Sequence, residues 1–338
     1  MSAVMSSVAS QIHRLKDLAF SDLFLEPSGE AWSKRSPDDH ERSVLAGSLL
    51  EEADLLRARL QEHRTGMDFR VDWEHGGGHA LRMRVQRMET VDGDVYICRR
   101  LRDSPLPFKE LGFPPGLMAA LLGDGFAKGG LILFTGATGA GKSTSLASWL
   151  AARLARYGGT AWTVENPVET TLAGRYGHDS VVGTCYQTEV REDAEFGTAI
   201  QRMLRAAPNI IMVGEIRNKE AASQTMVAGT SGHLVASTLH ANDITGGLER
   251  IKGLVKDGGL DSLYLSEALA AIIHQSVSTQ RLGEKERRVM NVTPLIVAGS
   301  RNATAIRSHL RTGEFTQLTS EIERQRRILA NLGGEAQV

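Results

Sequence analysis

LILFTGATGAGKST, residues 131–144, joins an apolar run to a glycine-rich turn that ends in Lys-Ser-Thr. Gly136 to Ser143 follow the spacing G-x-x-x-x-G-K-[ST]; a strand is predicted before the turn and a helix over about 142–156 after it. The residue types carry the chemistry. Gly136, Gly139 and Gly141 allow successive backbone N–H groups to turn into one concavity that suits phosphate oxygens. The helix behind them aims its positive end at the same place. Lys142 is expected to reach the β and γ phosphates, Ser143 to ligate Mg²⁺ and Thr144 to touch the α phosphate, with Thr138 and Ala140 completing the cradle. The chain has no Asn/Thr-Lys-x-Asp segment to read guanine, which favours ATP as the nucleotide.

Outward from this loop the texture is repetitive. LILF, AWTV (161–164), NIIMV (209–213) and HLVAST (233–238) are short apolar runs separated by helical stretches. That alternation predicts an α/β domain, a parallel sheet covered by helices, over 117–338. Upstream, residues 103–116 (DSPLPFKELGFPPG) hold four of the nine prolines and read as a linker. Residues 1–102 read as a smaller α+β domain. It has helical spacing over 1–20 and 40–65, then alternating runs FRVDW, LRMRV and VYICRRL with turns at HGGGH and VDGD.

Bulk properties narrow the function. The chain has 338 residues, enough for two domains, with 39 basic and 40 acidic side chains. A near-neutral balance argues against nucleic acid as the main partner, since phosphate-backbone binding leaves a basic footprint. The Arg324, Arg326 and Arg327 cluster reads as a solvated helix face. Cys98 and Cys185 are too few for a disulfide framework or a four-cysteine zinc site, which points to a reducing, cytoplasmic compartment. No apolar run is long enough to span a bilayer, so membrane association is expected only through partners.

Ligands of such sheets bind at the carboxyl ends of the strands, and two runs end in acids there. NIIMV is followed by Gly214-Glu215, and AWTV by Glu165-Asn166-Pro167-Val168-Glu169. Glu215 is the candidate base or water-orienting group, and Glu165 the candidate for positioning water or metal; Glu169 and Arg217 are further candidates. His233 and His240 flank the HLVAST run seven residues apart, roughly 23 Å along an ideal strand. Both therefore cannot touch one γ phosphate unless the strand is broken. His233 is taken as the catalytic candidate and His240 as an additional one.

On these boxes the chain resembles the type II/IV secretion and pilus ATPase superfamily, the PilT-, DotB- and GspE-like proteins. GATGAGKST looks like Walker A, TVENPVE (163–169) like the aspartate box, LRAAPNIIMVGEIRN (204–218) like Walker B, and GTSGHLVASTLHAND (229–243) like the histidine box. SDLFLEP (21–27), LGFPPGL, TQRL (279–282) and AIRSHLRTGEF (305–315) are similar to segments outside the core. The resemblance implies a PAS-like N-terminal domain, a RecA-like ATPase domain and a homo-hexameric ring. The ring would drive an inner-membrane pilus platform or secretion complex, with Arg84 and Arg99 set against the phosphates. Two positions depart from the family: Asn166 stands where an acid is usual, and Asn218 follows Arg217 where aspartate is usual. Each removes a negative charge. They leave a regulatory, non-hydrolysing subunit as the alternative, beside a RecA-like nucleic-acid motor. The absence of a tetracysteine favours the PilT- or DotB-like branch over the GspE-like one.

Overall fold

The structure is a computed structural model and describes residues 14–35, 39–62, 66–77, 80–178, 180–282 and 285–331, without the side chains of 279–288. The chain divides into two compact units, one up to Asp103 together with Glu169–Thr171, the other comprising 104–168 and 172 onward.

In the first unit, six antiparallel strands form one sheet: β1 (Asp22–Leu25), β2 (Ala31–Lys34), β3 (Ser43–Val44), β4 (Asp68–Trp73), β5 (Leu81–Thr90) and β6 (Gly93–Arg100), in the order β3-β2-β1-β6-β5-β4. Period-two alternation sets the faces. Leu81, Met83 and Val85 of β5 and Tyr96 and Cys98 of β6 point inward onto Ala53, Leu56 and Leu60 of helix α1 (Ser48–Glu62). Arg82, Arg84 and Arg99 lie on the other face. Buried Glu52 of α1 is satisfied by the backbone N–H of Leu15 (2.9 Å) and by Trp73 Nε1 (2.9 Å). Of the helix expected over 1–20, residues 1–13 lie outside the described residues, and 14–18 form a turn that buries Leu15.

The second unit carries an eight-stranded sheet in the order β14-β13-β7-β12-β11-β8-β10-β9. The strands are β7 (Gly130–Gly136), β8 (Gly159–Glu165), β9 (Gly174–His178), β10 (Val181–Glu189), β11 (Ile210–Val213), β12 (Leu234–His240), β13 (Leu269–Leu282) and β14 (Lys285–Ile296). The six from β13 to β10 are parallel, and β14 and β9 close the two edges antiparallel. Alternate residues of each strand face opposite layers. Leu131, Leu133, Ile211 and Val235 pack against α4 (Phe196–Met203), α5 (Lys219–Thr230), α6 (Ile244–Asp257), α7 (Ser262–Ala268) and α8 (Ala303–Thr312). Ile132, Phe134, Met212 and Ala236 pack against α2 (Pro115–Leu121), α3 (Lys142–Tyr157) and α9 (Thr319–Asn331). Two-sided burial explains why these strands read as continuous apolar runs. Each fully buried aliphatic contributes roughly 1.5–3 kcal/mol relative to exposure. The proline-rich stretch expected as a linker is ordered onto this unit from Ser104, because Phe108 and Phe113 are buried in its core.

Candidate functional site

The glycine loop sits at the carboxyl end of β7. Gly136 ends the strand with φ +156°, and Gly139 and Gly141 have φ +79° and +82°. A side chain at Gly136 would lie 2.3 Å from the carbonyl oxygen of Gln275, whereas Gly139 faces open space. Helix α3 starts immediately, and its first backbone bond runs from Ser145 N–H to Gly141 O (2.9 Å). The N–H groups of Ser143 and Thr144 stand at the helix start, where the geometry provides no intrahelical acceptor and the positive end of the helix suits an anion. Lys142 is buried, and its Nζ donates to the loop carbonyl of Ala137 (2.9 Å).

Parallel register brings three more chain segments to the same end of the sheet. His240 pairs with Gly136 across β12 and β7. Glu215 follows β11 and is held from both sides. Arg217 Nε donates to its Oε2 (2.9 Å), and His240 Nε2 lies 3.3 Å from its Oε1. Burial, reinforced by the charge of Lys142, pushes the His240 imidazole below its ordinary value of 6.5, against the opposing pull of Glu215. A neutral imidazole at this place donates or accepts a hydrogen bond but adds no charge at neutral pH. Glu165 ends β8, is 6% exposed, and accepts from Thr163 Oγ1 (2.7 Å) and Gln187 Nε2 (2.9 Å). It packs against Gly214, where an added Cβ would lie 3.2 Å from Glu165 Cγ. Burial, and then the Glu165 charge, drive the neighbouring Cys185 thiol up to about 12, so that cysteine is inert. A cleft of about 450 Å³ opens beside the loop, lined by Ala137, His240, Asp243, Glu249 and Arg250 among others.

The loop, Glu215, Glu165, Arg217 and His240 are therefore assembled at one end of the second unit's sheet. His233 is not. It precedes the amino end of β12, where its carbonyl accepts from Gly130 N–H (2.9 Å) at the start of β7. The strand is unbroken, so about 23 Å of extended chain separates it from the level of the loop. The expectation that His233 joins the acids is corrected accordingly, and His240 takes the place beside Glu215.

Within the first unit, Arg84 forms a two-toothed pair with Asp68 (Nε to Oδ1, 2.9 Å) and lies 3.9 Å from Glu169. Asp68, by hydrogen bond and by charge, holds the Arg84 guanidinium above its ordinary value despite burial. Arg99 Nε donates to the buried carboxylate of Asp22 (2.8 Å). On α9, Arg326 pairs with Glu323 (3.6 Å) on the exposed face, whereas Arg324 pairs with the largely buried Glu321 (2.7 Å).

Sequence reasoning missed His274 and Gln275 of β13. His274 pairs with Thr135 in register and its Nδ1 lies 3.3 Å from Thr135 Oγ1. Gln275 is fully buried beneath the loop. The available signal was a His-Gln pair interrupting the apolar run AAII, which becomes informative only once β13 is known to lie next to β7.

The family model for "Type II/IV secretion system protein" matches residues 4–328, and the chain belongs to that family. It is similar to the putative type II secretion system protein E of Escherichia coli K12, with 34% identity over 242 residues, covering 71% of this chain and 46% of that protein. It is also similar to the type IV pilus assembly ATPase PilB of Myxococcus xanthus, 32% identical over 65% of this chain and 37% of the relative. The chain thus spans half or less of the length of these curated relatives. The crystal structure of the pilus retraction motor PilT with bound ADP superposes with a TM-score of 0.72 at 25% identity, covering 95% of this chain and 88% of the motor.

Proposed function

We propose that the chain is a Mg²⁺-dependent ATP-hydrolysing motor subunit of a type IV pilus or of a type II/IV secretion machine. The observation that carries this reading is the convergence of the glycine loop with the start of α3, the Lys142 ammonium and the Glu215 carboxylate at the end of one parallel sheet. The loop's donors and Lys142 suit a polyphosphate, and would neutralise charge that develops on the transferred phosphoryl group. Lys142 now rests on the Ala137 carbonyl, which marks the space a phosphate oxygen would take.

The residues present also fit Mg²⁺. Mg²⁺ in such sites is held by one hydroxyl together with phosphates and water, a role the exposed Ser143 would fill, with an acid such as Glu165 standing behind. Mg²⁺ supplies charge neutralisation at the phosphates. The chain's own part is to orient water through Glu215, whose two oxygens are fixed by Arg217 and His240.

The reading extends to a RecA-like second unit, a PAS-like first unit and a homo-hexameric ring. The subunit would be cytoplasmic and act on membrane-embedded partners, with Arg84 and Arg99 as candidates for neutralising developing phosphate charge and Glu169 as a neighbour of Arg84. Support for these finer points is the family membership and the resemblance. Among the described residues no helix is long and apolar enough to cross a membrane.

The test is phosphate release from Mg²⁺-ATP by the full chain. Lys142→Ala should abolish ADP binding and turnover together. Glu215→Gln should retain binding and lose about 10²-fold or more in turnover. Wild-type protein that neither binds ADP nor releases phosphate, and is indistinguishable from Lys142→Ala, would overturn the reading.

A further inference from the structure

Gln275 lies outside every motif that marks the glycine loop, yet it is the side chain buried directly beneath it. It is 0% exposed. Its Nε2 donates to the backbone carbonyl of Ala140 at 2.5 Å, while its Oε1 is buried without a hydrogen-bond partner. Its own carbonyl stands where a Cβ at Gly136 would be (2.3 Å), and its amide nitrogen lies 3.3 Å from where a Cβ at Gly141 would be. Both defining glycines of the loop therefore close onto this one residue. An unpaired buried amide oxygen is destabilising, and an apolar side chain of the same size would avoid it. Its presence calls for a benefit from the Nε2 bond.

Peptide geometry supplies one. The carbonyl of Ala140 and the N–H of Gly141 belong to the same planar trans peptide and point in opposite directions. Drawing the Ala140 carbonyl down toward β13 turns the Gly141 N–H up, into the concavity formed by the loop and the start of α3. Without that anchor the peptide between two small residues, one of them glycine, is free to rotate and to withdraw the donor.

We propose that Gln275 is a positioning residue for the phosphate cradle: through its bond to Ala140 it presets the Gly141 N–H toward the phosphate chain of the bound nucleotide. This rests on the reading of the site as a nucleotide pocket. The role concerns binding of phosphate in both the ATP and the ADP states. Its loss therefore weakens ground state and transition state together, and appears mainly in KM.

The experiment uses the full chain and Gln275→Met, which keeps the length of the side chain and removes the donor. ADP and AMP affinities are measured by titration calorimetry, and KM and kcat for Mg²⁺-ATP by phosphate release. Thermal unfolding without nucleotide serves as the folding control. The expected result is an ADP dissociation constant raised about tenfold, AMP binding changed by less than threefold, KM raised in step with the ADP constant, a smaller fall in kcat, and an unfolding temperature at or above that of wild type. If Gln275→Met fails to fold, Gln275→Leu is measured in the same way. A folded variant that binds ADP with wild-type affinity overturns the proposal while leaving the ATPase reading intact. So does one whose ADP and AMP affinities fall equally. Wild-type protein that binds no ADP removes the nucleotide reading itself.

Discussion

The amide nitrogen of Asn166 lies 3.3 Å from the carboxylate Oδ1 of Asp193, and the amide nitrogen of Asn218 donates to the carbonyl of the same residue at 2.7 Å. The two positions where the chain lacks an expected acid therefore converge on one aspartate, with Arg217 as a third donor at 3.5 Å. At the same time Asn218 Oδ1 caps helix α5 by accepting from Ala221 N–H (2.8 Å). An aspartate at 218 could cap the helix but could not donate to Asp193. An aspartate at 166 would set two carboxylates side by side. The asparagines form a donor set matched to Asp193, which weakens the case for a non-hydrolysing subunit built on their missing charges.

Asn166→Asp is expected to destabilise the second unit by about 0.5–1 kcal/mol at neutral pH, in keeping with partly exposed like charges. Asp193→Asn should restore most of the loss, and a double-mutant cycle in urea measures the coupling. Asn218→Ala should cost about 1–2 kcal/mol, combining the lost cap with the lost donor.

His240 titrates below 6.5 because burial and Lys142 disfavour its charged form. The native state therefore binds its proton more weakly than the unfolded chain. The resulting stability is fully present above pH 6.5 and declines as pH falls through the interval down to the native value. The histidine's ring-proton NMR signal should show a midpoint under 6.5, and Lys142→Ala should move that midpoint upward. A midpoint unaffected by Lys142→Ala would contradict the arrangement at the loop.

Gly136→Ala combines φ +156° with a Cβ 2.3 Å from the Gln275 carbonyl. Neither backbone can yield without breaking the β7–β13 ladder. The substitution should cost on the order of 2–4 kcal/mol, read as a shifted denaturation midpoint at constant slope. Gly139→Ala meets nothing within 4 Å and has only its positive φ to overcome, so it should cost less, about 1 kcal/mol.

Glu321 is subject to burial, which alone would raise its carboxyl, but bonds from Arg324, Gln325 and Asn302 outweigh that and hold it at about 2. A depressed carboxyl contributes stability that is present above its unfolded value near 4.5 and is lost as pH falls toward 2. Glu321→Gln should lower stability by about 1–2 kcal/mol at pH 7, allowing for the solvent screening of Arg324. The difference from wild type in thermal melts should shrink below pH 4.5.

Much of the second unit was legible because its strands are buried on both faces and therefore read as uninterrupted apolar runs, from LILF to HLVAST. The loop was legible because glycine at 136 and 141 and lysine at 142 are chemically specific at that spacing. The β9–β10 and β13–β14 pairs carried no comparable signal. Tyr186 and Val277 on these strands are exposed, polar residues interrupt the runs, and antiparallel closure of a sheet edge depends on partners remote in sequence. Gln275 and Asp193 were invisible for the same reason: their roles come from contacts across 135 and 27 residues of chain. For the two histidines, seven-residue spacing already separated them; which one met the loop awaited the direction of β12 relative to β7.

That strand carries an imidazole at either extremity, one bathed in the field of Lys142 and one some seven positions away at the opposite rim. The pair amounts to a probe and a distant reference carried on one strand. A spectroscopic change seen at His240 and not at His233 on adding nucleotide, at constant pH, reports events at the loop end of that strand.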